Sequence, residues 1–131
     1  MTTVVLDASA AVDWLLRRPA AARLDADLAG LDWVAPELID AEVASGLRRR
    51  ERLGLTPTDL ATLAIQTWLA APLERFPLAP LLPTAWTLRH HVTAYDALYV
   101  ALARVLACPV VTTDRRLSRA PNLGITVTAV T

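Results

Sequence analysis

Short apolar runs alternate along the chain with longer segments in which apolar residues recur at helical spacing. The runs typical of strands are residues 3–6, 32–35, 73–78, 109–113 and 125–130. Pro77 limits the third run to a short or edge strand, because proline cannot donate a hydrogen bond to a sheet ladder. The pattern therefore predicts five short strands spread over the whole chain.

The segments between these runs predict six helices, over residues 8–16, 19–29, 36–53, 57–71, 81–91 and 94–107. Pro36 and Pro57 suit first helical turns, where an N–H is not needed, and Gly54 suits the end of the third helix. Thr56 and Thr93 are the predicted N-cap residues of the helices that follow them. The third and fourth helices are joined by a short turn, so we expect them to pack as a hairpin.

Strands that alternate with helices predict an α/β fold. The two clearest interior strands are continuously apolar, over residues 4–6 and 110–111, as expected for a parallel sheet that helices cover on both faces. A length of 131 residues suits one domain, and we assign residues 1–131 to it.

Composition excludes several classes of protein. With 54% hydrophobic and 20% charged residues, the chain is not of the disordered type. All 13 basic residues are arginine, which excludes the lysine-dependent P-loop and Schiff-base chemistries. The four glycines are too scattered for a dinucleotide-binding fingerprint. The formal net charge is zero, so only local charge can indicate a partner.

The location expected from the sequence is the cytoplasm. Cys108 is the single cysteine, so no disulfide can form within the chain. The first residues lack the basic and apolar regions of a signal peptide. The longest nearly apolar stretch, residues 97–111, contains Arg104 and Pro109 and is too short to cross a bilayer. We therefore expect no contact with a membrane.

Two acidic residues stand at the ends of apolar strands. Asp7 ends the first strand and Asp114 follows the fourth. Ligands of open parallel sheets bind beyond the carboxyl ends of the strands, so both acids point toward the expected site. Each also has a structural alternative: Asp7 or Ser9 could cap the first helix, and Asp114 could cap a turn over residues 115–118.

Glu42 and Asp96 are two further acids in unusual positions. Helical geometry places Glu42 beside Ile39 and Val43, on the face predicted to be buried. A buried carboxylate must be neutral, paired with an arginine or bound to a metal. Asp96 lies in the first turn of the most apolar helix, where its spacing from Thr93 is also that of a capping box.

The four acids are predicted to converge at one edge of the sheet. Two carboxylates about 4 Å apart repel by about 4 kcal/mol at an effective dielectric constant near 20, so such a cluster needs protons or cations. Oxygen ligands alone favour Mg²⁺ or Mn²⁺. The residues by themselves therefore predict an acidic, cation-dependent site.

At this point the sequence resembles the PIN-domain ribonucleases, and among them the VapC toxins of bacterial type II toxin–antitoxin pairs. The resemblance covers essentially the whole chain. It rests on four segments: VVLDAS at residues 4–9, Glu42 in the helix after Pro36, YDALYVALA at residues 95–103, and VTTD at residues 111–114.

This resemblance implies a three-layer α/β/α sandwich with a central parallel sheet. It also implies an endoribonuclease that uses Mg²⁺, or Mn²⁺ as a substitute, held by Asp7, Glu42, Asp96 and Asp114 as catalytic and metal-binding residues. Ser9 and Thr112 or Thr113 would orient these groups as supporting residues. Arg116 stands where some relatives carry a further acid, which leaves the number of metal ions open. The partners implied are an RNA substrate, a cognate VapB antitoxin and a second copy of the chain.

Two runs of arginine lie near the predicted site. They are Arg48, Arg49, Arg50 and Arg52 at the end of the third helix, and Arg115, Arg116 and Arg119 after Asp114. Both are candidates for contact with RNA or with the antitoxin. The alternative is a solvated helix face, or cations placed favourably at a helix C-terminus.

The other conspicuous side chains are assigned structural roles. The four tryptophans are expected in the core or in a hydrophobic groove. His90 and His91 are expected at the surface or as capping residues, and Cys108 as a small buried hydrophobic residue.

The sequence lacks residues that two other enzyme and signalling classes need. A dehalogenase-like phosphotransferase needs a DxDxT motif and a lysine, whereas Asp7 is followed by Ala8 and Ser9. A phosphorylated receiver domain fails for want of the same lysine and of paired acids. A catalytically silent PIN-like interaction module stays open as the alternative, although the presence of all four acids favours the ribonuclease.

Overall fold

Five parallel strands form the centre of the molecule. The computed structural model describes residues 2–131. The strands are β1 (Thr3–Leu6), β2 (Asp32–Pro36), β3 (Leu73–Phe76), β4 (Val110–Thr112) and β5 (Val127–Ala129). Their order across the sheet is β3-β2-β1-β4-β5, and every neighbouring pair is parallel. The predicted α/β class with a parallel sheet is confirmed.

Helices cover both faces of this sheet. They are α1 (Ala8–Leu15), α2 (Ala21–Leu28), α3 (Leu38–Arg52), α4 (Thr58–Ala70), α5 (Leu82–Thr87), α6 (Ala94–Leu106) and α7 (Arg115–Arg119), and a single 3₁₀ turn (Ala79–Leu81) leads into α5. Helix α1 packs against α2, α3 and α4, and α3 packs against α4, whereas α6 packs on β1, β2 and β4 and carries α5. The result is the three-layer sandwich expected from the resemblance.

The core is built from the apolar strands and from α6. Val4, Val5 and Leu6 are all buried, and a strand whose successive side chains are all buried must be covered on both faces. In α6 every residue from 97 to 103 is buried. Cys108 is buried as well, as predicted for a small hydrophobic residue.

Within residues 2–131, no helix has both the length and the apolar character to cross a membrane.

The predicted hairpin of α3 and α4 is confirmed, and a polar contact fixes it. The Trp68 side chain, 2% exposed, donates from Nε1 to Asp40 Oδ1 at 2.8 Å. Arg75 on β3 donates to the same carboxylate at 2.8 Å and lies over the Trp68 ring. One aspartate therefore connects α3, α4 and the edge strand.

Two predicted helix starts are wrong. Pro36 ends β2 instead of opening α3. The next residue, Glu37, makes the following hydrogen bond to β3 by donating its N–H to Phe76 O at 2.9 Å. Thr56 does not cap α4, since Pro57 is the N-cap residue. The Thr56 hydroxyl instead accepts a hydrogen bond from Arg50 Nε at 3.1 Å.

Two predicted elements are shorter than expected. The helix predicted over residues 81–91 ends as α5 at Thr87, because the chain turns between Leu88 and Val92 before the extended N-cap residue Thr93. The strand predicted over residues 125–130 is only the three residues of β5, which is an edge strand paired with a β4 of equal length. Strand β3 is short and at the other edge, as Pro77 predicted.

Candidate active site

The sheet brings two of the predicted acids to one edge. Asp7 follows β1 and Asp114 lies two residues after β4, and these strands are parallel neighbours with Leu6 opposite Val111. The Asp7 N–H donates to Val111 O at 2.9 Å, which extends the pairing as far as the acid. The carboxyl ends of parallel strands face the same way, so both acids lie at the expected edge.

Asp7 is the most constrained of these acids. It is 6% exposed, and its carboxylate accepts hydrogen bonds from Ala8 N at 2.9 Å, Ser9 Oγ at 2.9 Å and Thr112 Oγ1 at 2.6 Å. Burial raises the pKa of Asp7, the hydrogen bonds from Thr112 and Ser9 oppose that rise, and the charge of Asp96 adds to it. The bond from Ala8 N also makes Asp7 the N-cap of α1, so the capping alternative is confirmed.

Ser9 and Thr112 join the two strand ends around Asp7. Their hydroxyl oxygens lie 3.0 Å apart, and each also contacts the Asp7 carboxylate. Thr112 Oγ1 accepts from Asp114 N at 2.9 Å, and Ser9 Oγ accepts from Thr113 N at 3.2 Å. Thr112 therefore contacts Asp7 through its side chain, whereas Thr113 contributes its backbone.

Glu42 is held by a residue that the sequence analysis did not single out. It is half-buried on α3, and Tyr99 on α6 donates its hydroxyl to Glu42 Oε1 at 2.7 Å. Burial raises the pKa of Glu42, the Tyr99 hydrogen bond opposes this, and the charges of Asp7 and Asp96 add to the rise. Burial and the Glu42 carboxylate together hold the pKa of Tyr99 far above its usual range.

The hydrogen bond from Tyr99 takes the place of the arginine ion pair, which was one of the alternatives for a buried carboxylate at Glu42. Among residues 2–131, no arginine forms a salt bridge with Glu42. A signal for Tyr99 exists in the sequence: it lies three residues after Asp96, and residues at that spacing share one face of a helix. The polar hydroxyl on the most buried helix of the chain therefore needed an acceptor, and Glu42 supplies it.

Asp96 and Asp114 stand at the N-termini of two helices. The Asp96 N–H donates to Thr93 Oγ1 at 3.2 Å, which confirms Thr93 as the cap of α6. Burial raises the pKa of Asp96, and the charge of Asp114 raises it further. Asp114 caps α7 by accepting from Arg116 N at 2.9 Å, as the structural alternative predicted, and also pairs with the Arg116 guanidinium at 3.3 Å.

The four carboxylates therefore influence one another electrostatically. Asp96 acts on Asp7 and Glu42, and Asp114 acts on Asp96. In the part of the chain that the structure describes, no three carboxylate, imidazole or thiolate side chains are gathered so that they could hold one metal ion. Glu42 is engaged with Tyr99, and Asp114 with Arg116 and its own helix. The donor set is nevertheless oxygen only, which in kind suits a hard divalent cation.

A groove of about 400 Å³ leads from Glu42 along α1 and α3. It is lined by Val12, Gly46, Arg49, Leu53 and Leu55, among others. A Cβ atom on Gly46 would lie 3.2 Å from a Val12 methyl group, so the two helices approach closely here because residue 46 has no side chain.

The predicted arginines are divided between this groove and solvent. Arg49 and Arg50 line the groove, whereas Arg48, Arg52 and Arg115 are exposed without lining it. Arg116 lines a separate cavity beside Asp96.

The tryptophans and histidines largely follow the prediction. Trp68 is in the core, and Trp14 and Trp33 pack edge to face with ring centroids 5.2 Å apart. Trp86 is 67% exposed and lines a hydrophobic groove between α5 and α6. His90 and His91 are exposed, in the turn that follows α5.

Comparison with known proteins gives the family. The family model described as "PIN domain" matches residues 4–123. The chain is 41% identical over 130 residues to VapC ribonuclease Mb0985 of Mycobacterium bovis and to ribonuclease VapC9 of Mycobacterium tuberculosis, with 97% of this chain and 98% of each relative covered. It is 41% identical over 128 residues to ribonuclease VapC1 of Mycobacterium tuberculosis, with 94% of both chains covered.

Solved structures agree at the level of the fold. VapBC2 from Rickettsia felis, crystallised with a DNA fragment from its promoter, matches with a TM-score of 0.73 at 15% identity, covering 99% of this chain and 100% of that chain. VapC20 of Mycobacterium tuberculosis, described as a sarcin-ricin loop cleaving toxin, matches with a TM-score of 0.68 at 18% identity, covering 94% and 98%. The chain belongs to the PIN-domain family, among the VapC ribonucleases.

Proposed function

We propose that the protein is a Mg²⁺-dependent endoribonuclease, the toxin of a VapBC pair. The observation that carries the proposal is the buried Asp7 carboxylate, held by three hydrogen bonds at the carboxyl edge of the sheet, with a pKa raised by burial and by the charge of Asp96. Like charges placed close together lower the stability of a fold, so their proximity here indicates a functional role. The relatives that share 41% of the sequence are named ribonucleases.

Asp7, Glu42, Asp96 and Asp114 are the residues that would hold the metal, with Mn²⁺ as a substitute for Mg²⁺. The chemistry that such an ion supplies when bound is activation of water and neutralisation of the charge that develops on a phosphodiester. Ser9 and Thr112 fix the orientation of Asp7, and Tyr99 fixes that of Glu42. Water adds to phosphorus as the 3′-oxygen leaves, so the expected products carry 5′-phosphate and 3′-hydroxyl ends.

A VapB-type antitoxin is the proposed protein partner. The R. felis relative is described as a VapBC assembly. The α1–α3 groove supports such a partner here, because it joins exposed apolar residues, Leu53 and Leu55, to the Glu42 carboxylate. An inhibitory segment lying in this groove would reach the acids directly. We also propose that the protein forms a homodimer and acts in the cytoplasm.

Cleavage of RNA by the free protein tests the activity. Antitoxin-free protein is incubated with total RNA in Mg²⁺, Mn²⁺ or EDTA, and the new ends are mapped by sequencing. We expect discrete metal-dependent cuts that Asp7→Asn abolishes and that Asp59→Asn, an exposed first-turn aspartate on α4, leaves unchanged. Metal binding without any cut, across RNA from several sources, would instead favour the silent interaction module.

A further inference from the structure

A second cavity, of about 440 Å³, opens beside Asp96 and shares no lining residue with the α1–α3 groove. One wall is the turn between α5 and α6, with Arg89, His90 and His91. The opposite walls are the start of α6, with Asp96, and α7, with Arg116. We call it the α5–α6 cavity. Arg89 and the two histidines lie at one end of it, and Asp96 lies with Arg116 at the other.

Arg89 is fixed in place without an acidic partner. Its Nη1 donates to Trp86 O at 2.8 Å, and its guanidinium carbon lies 4.5 Å from the centroid of the Trp86 ring. Five arginines form salt bridges within residues 2–131, and Arg89 is not among them. An arginine whose conformation is already restricted loses less entropy when it binds an anion, and its charge here is uncompensated.

The two histidines are placed by the backbone of the same turn. The His91 N–H donates to Leu88 O at 2.9 Å, and the Val92 N–H donates to the same oxygen at 3.2 Å. This turn presents His90 and His91 to solvent next to Arg89. Imidazole N–H groups donate hydrogen bonds to phosphate oxygens, and imidazole rings stack on unpaired bases.

We propose that the α5–α6 cavity binds a phosphate of single-stranded RNA adjacent to the one that is cut, with Arg89 as the main contact and His90 and His91 beside it. The inference rests on the proposed ribonuclease function and adds the path that the substrate takes. Asp96 offsets part of the attraction that Arg89 and Arg116, in the same cavity, exert on a small free anion. When an RNA strand is bound at the acids, the covalent backbone keeps the neighbouring phosphate in the cavity. Phosphate contacts of this kind set the register of a nucleic acid.

Direct RNA binding tests the proposal. Fluorescence anisotropy is measured with labelled single-stranded RNA of random sequence, in the Asp7→Asn protein so that the RNA stays intact; Asp7 does not line the cavity. Arg89→Gln, and His90→Gln combined with His91→Gln, are compared with Arg23→Gln, which removes the same charge from an exposed position on α2. Circular dichroism and Tm confirm that each variant is folded.

We expect Arg89→Gln to weaken RNA binding about tenfold, the loss typical of one charged hydrogen-bond partner. The slope of log K against log salt should fall by about 0.7, as for one phosphate contact on a single strand. The double histidine variant should bind more weakly than Arg23→Gln as well. In the background that cleaves RNA, Arg89→Gln should raise KM more than it lowers kcat.

Two results would overturn the inference, and they are distinguishable. If the protein with Asp7 intact makes metal-dependent cuts but Arg89→Gln binds RNA like Arg23→Gln, the cavity is not on the RNA path and the ribonuclease function stands. If that protein neither cuts nor binds RNA, the proposed function fails and the phosphate site fails with it.

Discussion

At the scale of single residues, the site is a balance between burial and hydrogen bonding. Asp7 is nearly inaccessible, yet three donors face its carboxylate, and they oppose the rise in its pKa and fix the direction of the carboxylate. Glu42 has one such donor, Tyr99. The residues that set these orientations are as consequential for the site as the acids themselves.

Thr112→Val tests this at Asp7. Valine keeps the shape of the fully buried threonine but removes the hydroxyl that donates at 2.6 Å. We expect the free energy of unfolding to fall by about 1–3 kcal/mol and RNA cleavage to fall about 10–100-fold. Denaturant unfolding and single-turnover cleavage measure the two effects. Thr113→Val is the control, because the contact of Thr113 with the network is through its backbone N–H; equal effects of the two changes would contradict the assignment.

Tyr99→Phe tests the equivalent contact at Glu42. The change removes the hydroxyl that opposes the rise in the Glu42 pKa, so Glu42 should hold its proton to still higher pH. We therefore expect weaker Mg²⁺ binding by calorimetry at neutral pH, with a larger deficit at lower pH. Tyr95→Phe is the matched control, since Tyr95 is 61% exposed and its hydroxyl has no hydrogen-bond partner among residues 2–131. Unchanged Mg²⁺ affinity in Tyr99→Phe would show that this hydroxyl does not prepare Glu42.

At the scale of elements, the sequence predicted what depends on local chemistry. The strand positions and α6 with its Thr93 cap follow from apolar runs and a capping residue, and the structure has them. Pro36 and Thr56 were assigned wrongly because their local preference suits a helix start, whereas a sheet neighbour and the Arg50 side chain determine their actual contacts. The Glu42–Tyr99 contact was out of reach for a similar reason, since it joins two helices 57 residues apart.

The charge of Asp96 is predicted to destabilise the first turn of α6 in the metal-free protein. Asp96→Asn removes a half-buried charge whose desolvation and repulsion by Asp114 outweigh its attraction to Arg116, while keeping the side-chain shape. We expect metal-free protein to gain about 1 kcal/mol relative to Asp59→Asn, a Tm higher by roughly 2–4 °C. Asp59 provides the comparison because it is also a first-turn aspartate, so both changes lose the same helix-dipole contribution. A lower Tm for Asp96→Asn than for Asp59→Asn, measured by calorimetry in EDTA, would contradict this.

At the scale of the whole molecule, the region of the four acids opposes the stability of the fold, because carboxylates are buried there close to one another. Three of them have raised pKa values from burial and from one another, and two are partly engaged by other groups. The sequence indicated which acids would come to this region, because strand ends and helix starts are local features. The side-chain rotamers could not be predicted from the sequence, because contacts with Tyr99 and Arg116 orient the carboxylates of Glu42 and Asp114.

Binding of a divalent cation should therefore stabilise the entire fold. At a Mg²⁺ concentration 100 times Kd, the free energy of unfolding should rise by about 2.7 kcal/mol, because only the folded chain gathers the acids. Thermal melts with and without Mg²⁺ or Mn²⁺ measure this. Asp7→Ala should reduce the shift, whereas Asp27→Ala on α2, an exposed acid remote from the site, should retain it. Absence of a shift at saturating cation would show that the acids do not bind it together.

The position of β1 in the centre of the sheet also has a consequence for biosynthesis. The Thr112 partner of Asp7 lies 105 residues later in the chain, on the strand that pairs with one side of β1. A growing chain on the ribosome therefore cannot assemble the acidic site until β4 has emerged. The three hydrogen bonds that orient the Asp7 carboxylate are therefore complete only after the ribosome has translated those 105 residues.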